Sequence, residues 1–177
     1  MKPNIALQIV ISGLAFGMPF LNSTLYAANI TSTQFTITGV LEAKTCSFNG
    51  NPLTVELPEV DTRSLNNNHS IQGKTDFTLS INCSGGVTSV YITPYGTPNL
   101  NGDSTLFLNI KSAQNVGLRL LDENGNILTP DGTRKVKIEY DESGGKYTFS
   151  AGYEPTGSGR VSGGGFQSLV EFTLNYS

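Results

Sequence analysis

Apolar residues recur at every second position through much of the chain. Phe77, Leu79, Ile81 and Cys83 alternate with Thr78, Ser80 and Asn82, so one face is apolar and the other polar, as on a half-buried strand. Val116, Leu118 and Leu120 run into Asp122-Glu123-Asn124-Gly125-Asn126. Val136, Ile138 and Tyr140 run into Asp141-Glu142-Ser143-Gly144-Gly145, after which Tyr147, Phe149, Ala151 and Tyr153 resume the alternation. Asn-Gly and Gly-Gly supply the positive φ that tight turns need, so both stretches are expected to be hairpins. Further strands are expected over residues 53–57, 87–94 and 105–109. No segment keeps a helical period with caps, and about seven short strands predict an all-β sandwich.

The first residues break this pattern. Lys2 precedes an apolar run from Ile5 to Leu21, interrupted only by Gln8 and Ser12 among polar residues, and a small-residue stretch ending Ala27-Ala28 follows. Charged, then apolar, then cleavable is the order of a secretory signal peptide, expected over residues 1–27, with cleavage after Ala27 or Ala28. Gly13, Gly17 and Pro19 break the run and no stop-transfer charges follow, so no membrane insertion is expected after cleavage. Residues 28–177 then form one domain, of a size that buries a proper core.

Export decides how the two cysteines read. In an oxidising compartment an isolated pair is a disulfide, and Cys46 and Cys83 have no further ligands to make a zinc site. On the chain-entropy estimate such a bridge stabilises the fold by about 4 kcal/mol.

Composition narrows function mainly by exclusion. Charged residues are 14% of the chain and the net charge is -3; without Lys2 there remain 10 basic against 14 acidic residues, hence -4. The 11 Lys and Arg are spread along the sequence, which argues against nucleic acid. His69, the single histidine, lies in the polar run Asn66-Asn67-Asn68-His69-Ser70 and is expected on an exposed loop. The acidic residues Asp122, Glu123, Asp141 and Glu142 flank turns, so paired-carboxylate chemistry has only turn tips to stand on. No active site, metal or cofactor is expected, and the Gly157–Gly165 stretch is expected to be a flexible connection rather than a phosphate loop.

The two ends of the exported chain carry the most information. Thr33, Phe35, Ile37, Gly39 and Leu41 fall on one face, opposite Gln34, Thr36 and Thr38. Phe166, Ser168, Val170, Phe172, Leu174 and Tyr176 share another. Taken alone, these are the first and last strands of a closed sandwich.

Three elements together point further: Thr-Gly-x-Leu-Glu-Ala-Lys-Thr-Cys at residues 38–46, Ser-Ile-Asn-Cys at 80–83, and Gly-Gly-Phe through Phe-Thr-Leu-Asn-Tyr-Ser at 164–177. With the signal peptide, they resemble chaperone-usher pilins of the type 1 fimbrial kind, over the whole exported chain. The resemblance implies an incomplete immunoglobulin-like sandwich, lacking its last strand, that is completed by a donor strand from a neighbouring subunit. Residues 28–44 would be the N-terminal extension, presenting Thr33, Phe35, Ile37, Gly39 and Leu41 to the neighbour, with Gly39 entering a shallow pocket. Gly164, Phe166, Val170, Phe172, Leu174 and Tyr176 would form the C-terminal strand that faces a periplasmic pilus chaperone, with basic chaperone residues on the Ser177 carboxylate. The implied partners are that chaperone, an outer-membrane usher and neighbouring pilin subunits, and the implied destination is a surface fimbrium reached through the periplasm. A whole receptor-binding domain is absent and an extension is present, which implies a minor adaptor or shaft subunit in cell adhesion. The competing reading from the residues is a secreted carbohydrate-binding sandwich, with Tyr91, Tyr95, Tyr140, Tyr147 and Tyr153 as its candidate aromatics.

Overall fold

The computed structural model describes residues 35–50, 53–68, 70–140 and 145–177. The signal peptide, Thr33 and His69 therefore lie outside the described residues. The chain divides into two units, Met1–Gly39 and Val40–Ser177. In the first, residues 35–39 carry no strand, and the Phe35 and Ile37 side chains are 82% and 94% exposed.

The second unit is a sandwich of two antiparallel sheets. Its elements in chain order are β1 (Thr45–Phe48), α1 (Thr62–Asn67), β2 (Gln72–Ser84), β3 (Val90–Gly96), β4 (Val116–Leu121), β5 (Ile127–Leu128), β6 (Val136–Ile138), β7 (Gly145–Pro155) and β8 (Val170–Tyr176). One sheet has the order β1-β2-β7-β4-β5 and the other β6-β3-β8. The core lies between them. Ile81, Leu120 and Phe149 from the larger sheet meet Val90, Ile92 and Ile138 from the smaller one, all fully buried. The period-2 residues of β2, β4 and β7 thus do what alternation requires of them: every second side chain enters the core.

Three expectations from periodicity are corrected. Residues 116–128 do form a hairpin, with Leu120 opposite Leu128 and Leu121 opposite Ile127. Residues 136–153 do not. β6 pairs with β3 in the small sheet and β7 pairs with β2 and β4 in the large one, so the chain crosses the sandwich between them. Both strands turn an apolar face to the same core, and alternation cannot tell which sheet each one joins. Over residues 105–109 only Phe107 pairs, in isolated bridges to Pro98 and Leu118. Residues 53–57 form no strand at all, although Val55 and Leu57 are half-buried between exposed neighbours.

The one helix among the described residues was not expected. Asp61 caps α1 by accepting the Arg63 N–H at 2.8 Å, and only Leu65 of the helix is buried, too little to leave a periodic signature. The glycine-rich stretch at 157–165, expected to be a flexible connection, is tied down. Asn66 accepts the Val161 N–H at 2.8 Å and donates to the Val161 carbonyl, while Asn115 donates to the Arg160 carbonyl. Charge is also less evenly spread than its sequence reading held, because Arg134, Lys135 and Lys137 stand exposed together at β6.

Cys46 and Cys83 are bonded, joining β1 to β2 where the two cysteines stand directly opposite. Beside them, Thr45 Oγ1 and Ser84 Oγ share a hydrogen bond of 2.8 Å. On the outer face of the large sheet Arg119 is 5% exposed and holds Asp103 at 2.7 Å and Glu154 at 2.6 Å. Burial pushes the Asp103 carboxyl up, but hydrogen bonds from Thr105 and Arg119, with the Arg119 charge, outweigh it and leave its pKa below the ordinary 3.8. Burial likewise opposes the Arg119 charge, and the two carboxylates overcome it. This cluster pins the 99–106 loop over β4, where Gly117 leaves room for Leu106.

Candidate functional site

A groove of about 940 Å³ opens between the two sheets. Its floor is the inner face of the large sheet, including Phe77, Leu79, Leu118, Leu120 and Ala151. One wall is the run from Phe166 to Val170 with Phe172; the other holds Phe48, Val55 and Leu57. Two rings of the lining, Phe77 and Phe172, pack on the fully buried Phe149 behind them, at 5.7 and 5.1 Å between ring centroids. Toward Phe166, Tyr153 meets that ring edge to face at 4.8 Å. Burial, and then the charge of Glu59, raise the Tyr153 pKa above its ordinary value, so the phenol stays neutral.

The backbone of β8 explains why the groove can take a chain rather than a small molecule. β8 pairs with β3 on one side, and among the described residues no strand covers its other side. Ser89 and Ser177 exchange both of their N–H···O bonds, at 3.1 and 3.4 Å. In an antiparallel ladder such bonded pairs alternate with non-bonded ones. Continuing the register, Asn175, Thr173 and Glu171 point their backbone groups at β3. Val170, Phe172, Leu174 and Tyr176 must then point theirs at the open edge. Those four positions also share one side-chain face, so the residues that turn side chains toward the core also leave N–H and C=O groups unpaired.

The other rim has the matching defect. Residues 53–57 alternate as a strand does, lack a ladder, and border the groove. At the wall, Ser168 Oγ is buried with no hydrogen-bond partner among the described residues. Buried polar groups without partners are uncommon in a finished interior.

Of the residues singled out by sequence, Phe166, Val170 and Phe172 line the groove. Leu174 packs against the main core, and Tyr176 at the strand's end is 40% exposed. Gly164 lies outside the groove, so close to Ser112 and Ala113 that a Cβ there would come within 2.7 Å of the Ala113 nitrogen. Strand pairing starts only at Val170. Before it, the chain bonds to residues 109–113 instead, the Gly165 carbonyl accepting from Ala113 and the Gln167 carbonyl from Ile110. In the expected donor segment, the side chain of Leu41 is 100% exposed and the described residues, 35–44, carry no strand. The candidate aromatics have structural duties. Lys135 sits 4.8 Å over the Tyr91 ring, Tyr95 packs on Gly132, Tyr140 donates to the Cys83 carbonyl, and Tyr147 is buried. Sequence reasoning missed the floor and far wall. Their pattern is that of any core strand.

Comparison with known proteins agrees with this geometry. A family model described as "Fimbrial protein" matches residues 33–177. The chain is 26% identical over 165 residues to Protein FimG of Escherichia coli (strain K12), covering 93% of this chain and 95% of that protein. It is 31% identical over 107 residues to the major fimbrial subunit SMF-1 of Stenotrophomonas maltophilia (strain K279a), covering 58% of this chain and 63% of that one. In structure it resembles the P pilus rod subunit PapA with a TM-score of 0.62 at 16% identity, over 75% of this chain and 99% of that one. At that identity the likeness speaks for the fold.

Proposed function

The chain belongs to the fimbrial protein family, and from that premise we propose that it polymerises by strand donation. A neighbouring copy or another pilin inserts its extension into the groove, while residues 28–44 of this chain enter the next subunit. The open edge of β8 carries this reading, because four residues there present unpaired backbone groups beside a long apolar groove. An incoming strand satisfies those groups, and its alternate side chains fill the space between the sheets. Burial of Phe35, Ile37 and Leu41 stabilises each junction by at most about 5 to 9 kcal/mol before hydrogen bonds are counted.

Before assembly the same edge takes a strand from a periplasmic chaperone, with Phe166, Val170, Phe172, Leu174 and Tyr176 as the facing strand. An outer-membrane usher then delivers the subunit to a fimbrium on the cell surface. The role is structural, as a minor adaptor or shaft subunit in adhesion, and similarity to FimG along nearly the whole of both chains supports that.

Deletion of residues 28–41 tests the proposal. The truncated protein is expected to form a stable chaperone complex and to accept another subunit's extension, yet to give no ladder of polymers on unheated gels. Persistent ladders overturn the donor role. Loss of the chaperone complex shows instead that the segment belongs to its own fold.

A further inference from the structure

If residues 28–44 are a donor strand, their attachment to the sandwich matters as much as their side chains. Residues 40–44 are exposed and carry no strand, whereas from Thr45 onward the chain is locked to β2. The lock has three parts within a few residues: the Cys46–Cys83 disulfide, the Thr45–Ser84 hydroxyl pair, and Gly85 immediately after β2. A Cβ on Gly85 would stand 2.4 Å from the Ala43 carbonyl oxygen and 2.9 Å from the Lys44 Cα. These are backbone atoms, so no side-chain adjustment could relieve the clash.

The next residue provides an internal comparison. Gly86 also has positive φ, +67° against +77° for Gly85, yet its Cβ would meet nothing within 4 Å. Both glycines answer the conformational demand of the turn. Only Gly85 also answers a demand from the root of the extension.

We propose that Gly85 is a positioning residue for strand donation: its bare Cα seats the Ala43 carbonyl and thereby sets the direction in which the extension leaves the sandwich. This rests on reading residues 28–44 as the donor. The seat lies at the root of the donor and is absent from the groove lining, so its loss impairs giving a strand and spares receiving one.

The test separates those two roles in one protein. As donor, chaperone-bound Gly85→Ala is mixed with chaperone-bound protein lacking residues 28–41, and heterodimer is followed on unheated gels. As acceptor, the same variant is challenged with a synthetic peptide of residues 29–44. Donation is expected to slow about tenfold or more, because overfilling a backbone contact displaces the root. Acceptance is expected to match wild type within about twofold, with Gly86→Ala near wild type in both arms. Insertion of one glycine between Ala43 and Lys44, which leaves β2 and its turn untouched, is expected to reproduce the donor defect. Equal losses in both arms, equal effects of Gly85→Ala and Gly86→Ala, or wild-type donation by either root variant would overturn the assignment. Wild-type protein that neither gives nor accepts a strand would instead refute the donor reading itself.

Discussion

The outer face around Arg119 and the groove beside β8 lie on opposite faces of β4 and β7 and reach opposite conclusions. Around Arg119 every demand is met within the chain: a guanidinium that is 5% exposed has Asp103, Thr105 and Glu154 around it, and Leu106 fits the space left by Gly117. Around β8 comparable demands stay open among the described residues: a row of backbone groups without partners, an unpartnered Ser168 hydroxyl, and half-buried aromatic rings along a 940 Å³ groove. Imperfect packing spread evenly over a protein suggests weakness. Concentrated along one edge, beside an otherwise satisfied interior, it defines the shape of a missing strand.

The comparison predicts the largest response where the groove is filled. A chain carrying residues 29–44 on a flexible linker after Ser177 is expected to gain about 5 to 9 kcal/mol and to melt about 10 to 30 °C higher than wild type. Calorimetry checks this, and an unchanged melting temperature would mean that the groove is not the acceptor. Cys83→Ser, which frees β1 from β2, is expected to cost about 4 kcal/mol in urea unfolding. Arg119→Met leaves two carboxylates without their cation and is expected to cost about 3 kcal/mol. That loss should be the same with the groove empty or filled, since the cluster is on the other face.

Phe172→Ala should behave differently from Arg119→Met and so sharpens the contrast. With the groove empty the ring is only half-buried, and its removal is expected to cost about 1 kcal/mol; beneath an inserted strand the cost should rise to about 3 kcal/mol. Paired melting curves of the empty and strand-filled proteins measure the difference. The smallest effect is expected from pH. Asp103 has its folded-state pKa depressed, so its contribution is present above 3.8 and is lost as pH falls through the lower folded-state value. Asp103→Asn should therefore lower stability at neutral pH and reduce the drop in urea midpoint between about pH 6 and about pH 3.

Much of this contrast was legible in alternation, and where it was not the reason is physical. β2, β4, β7 and β8 each turn one apolar face to a core, which a period of two reports directly. Periodicity says nothing about which sheet receives a strand, so Val136–Ile138 and Tyr147–Tyr153 looked like the arms of a hairpin while standing in opposite layers. A strand is also defined by its neighbour. Residues 53–57 have the pattern without the pairing, and only three dimensions reveal the groove beside them. The groove floor was hidden for a related reason, since Leu118 and Ala151 beneath an open groove have the same alternation as residues beneath a closed one. The C-terminal edge could be found because its apolar face and its chain position coincided with a familiar motif. Gly85 could not be singled out, because its meaning depends on Ala43, far away in sequence and adjacent in space.

The small sheet has a second border, at β6, where Arg134, Lys135 and Lys137 stand in four consecutive positions. These three cations outnumber the one carboxylate beside them, Glu139, which pairs with Lys137 at 3.7 Å, so two copies brought together along that border would bring mostly like charges together, and lysine-rich edges resist lateral strand pairing. In the small sheet, therefore, one border invites a strand and the other resists its own kind. Under the proposed strand addition, the charge at β6 turns growth of the small sheet toward β8 rather than sideways from its other border.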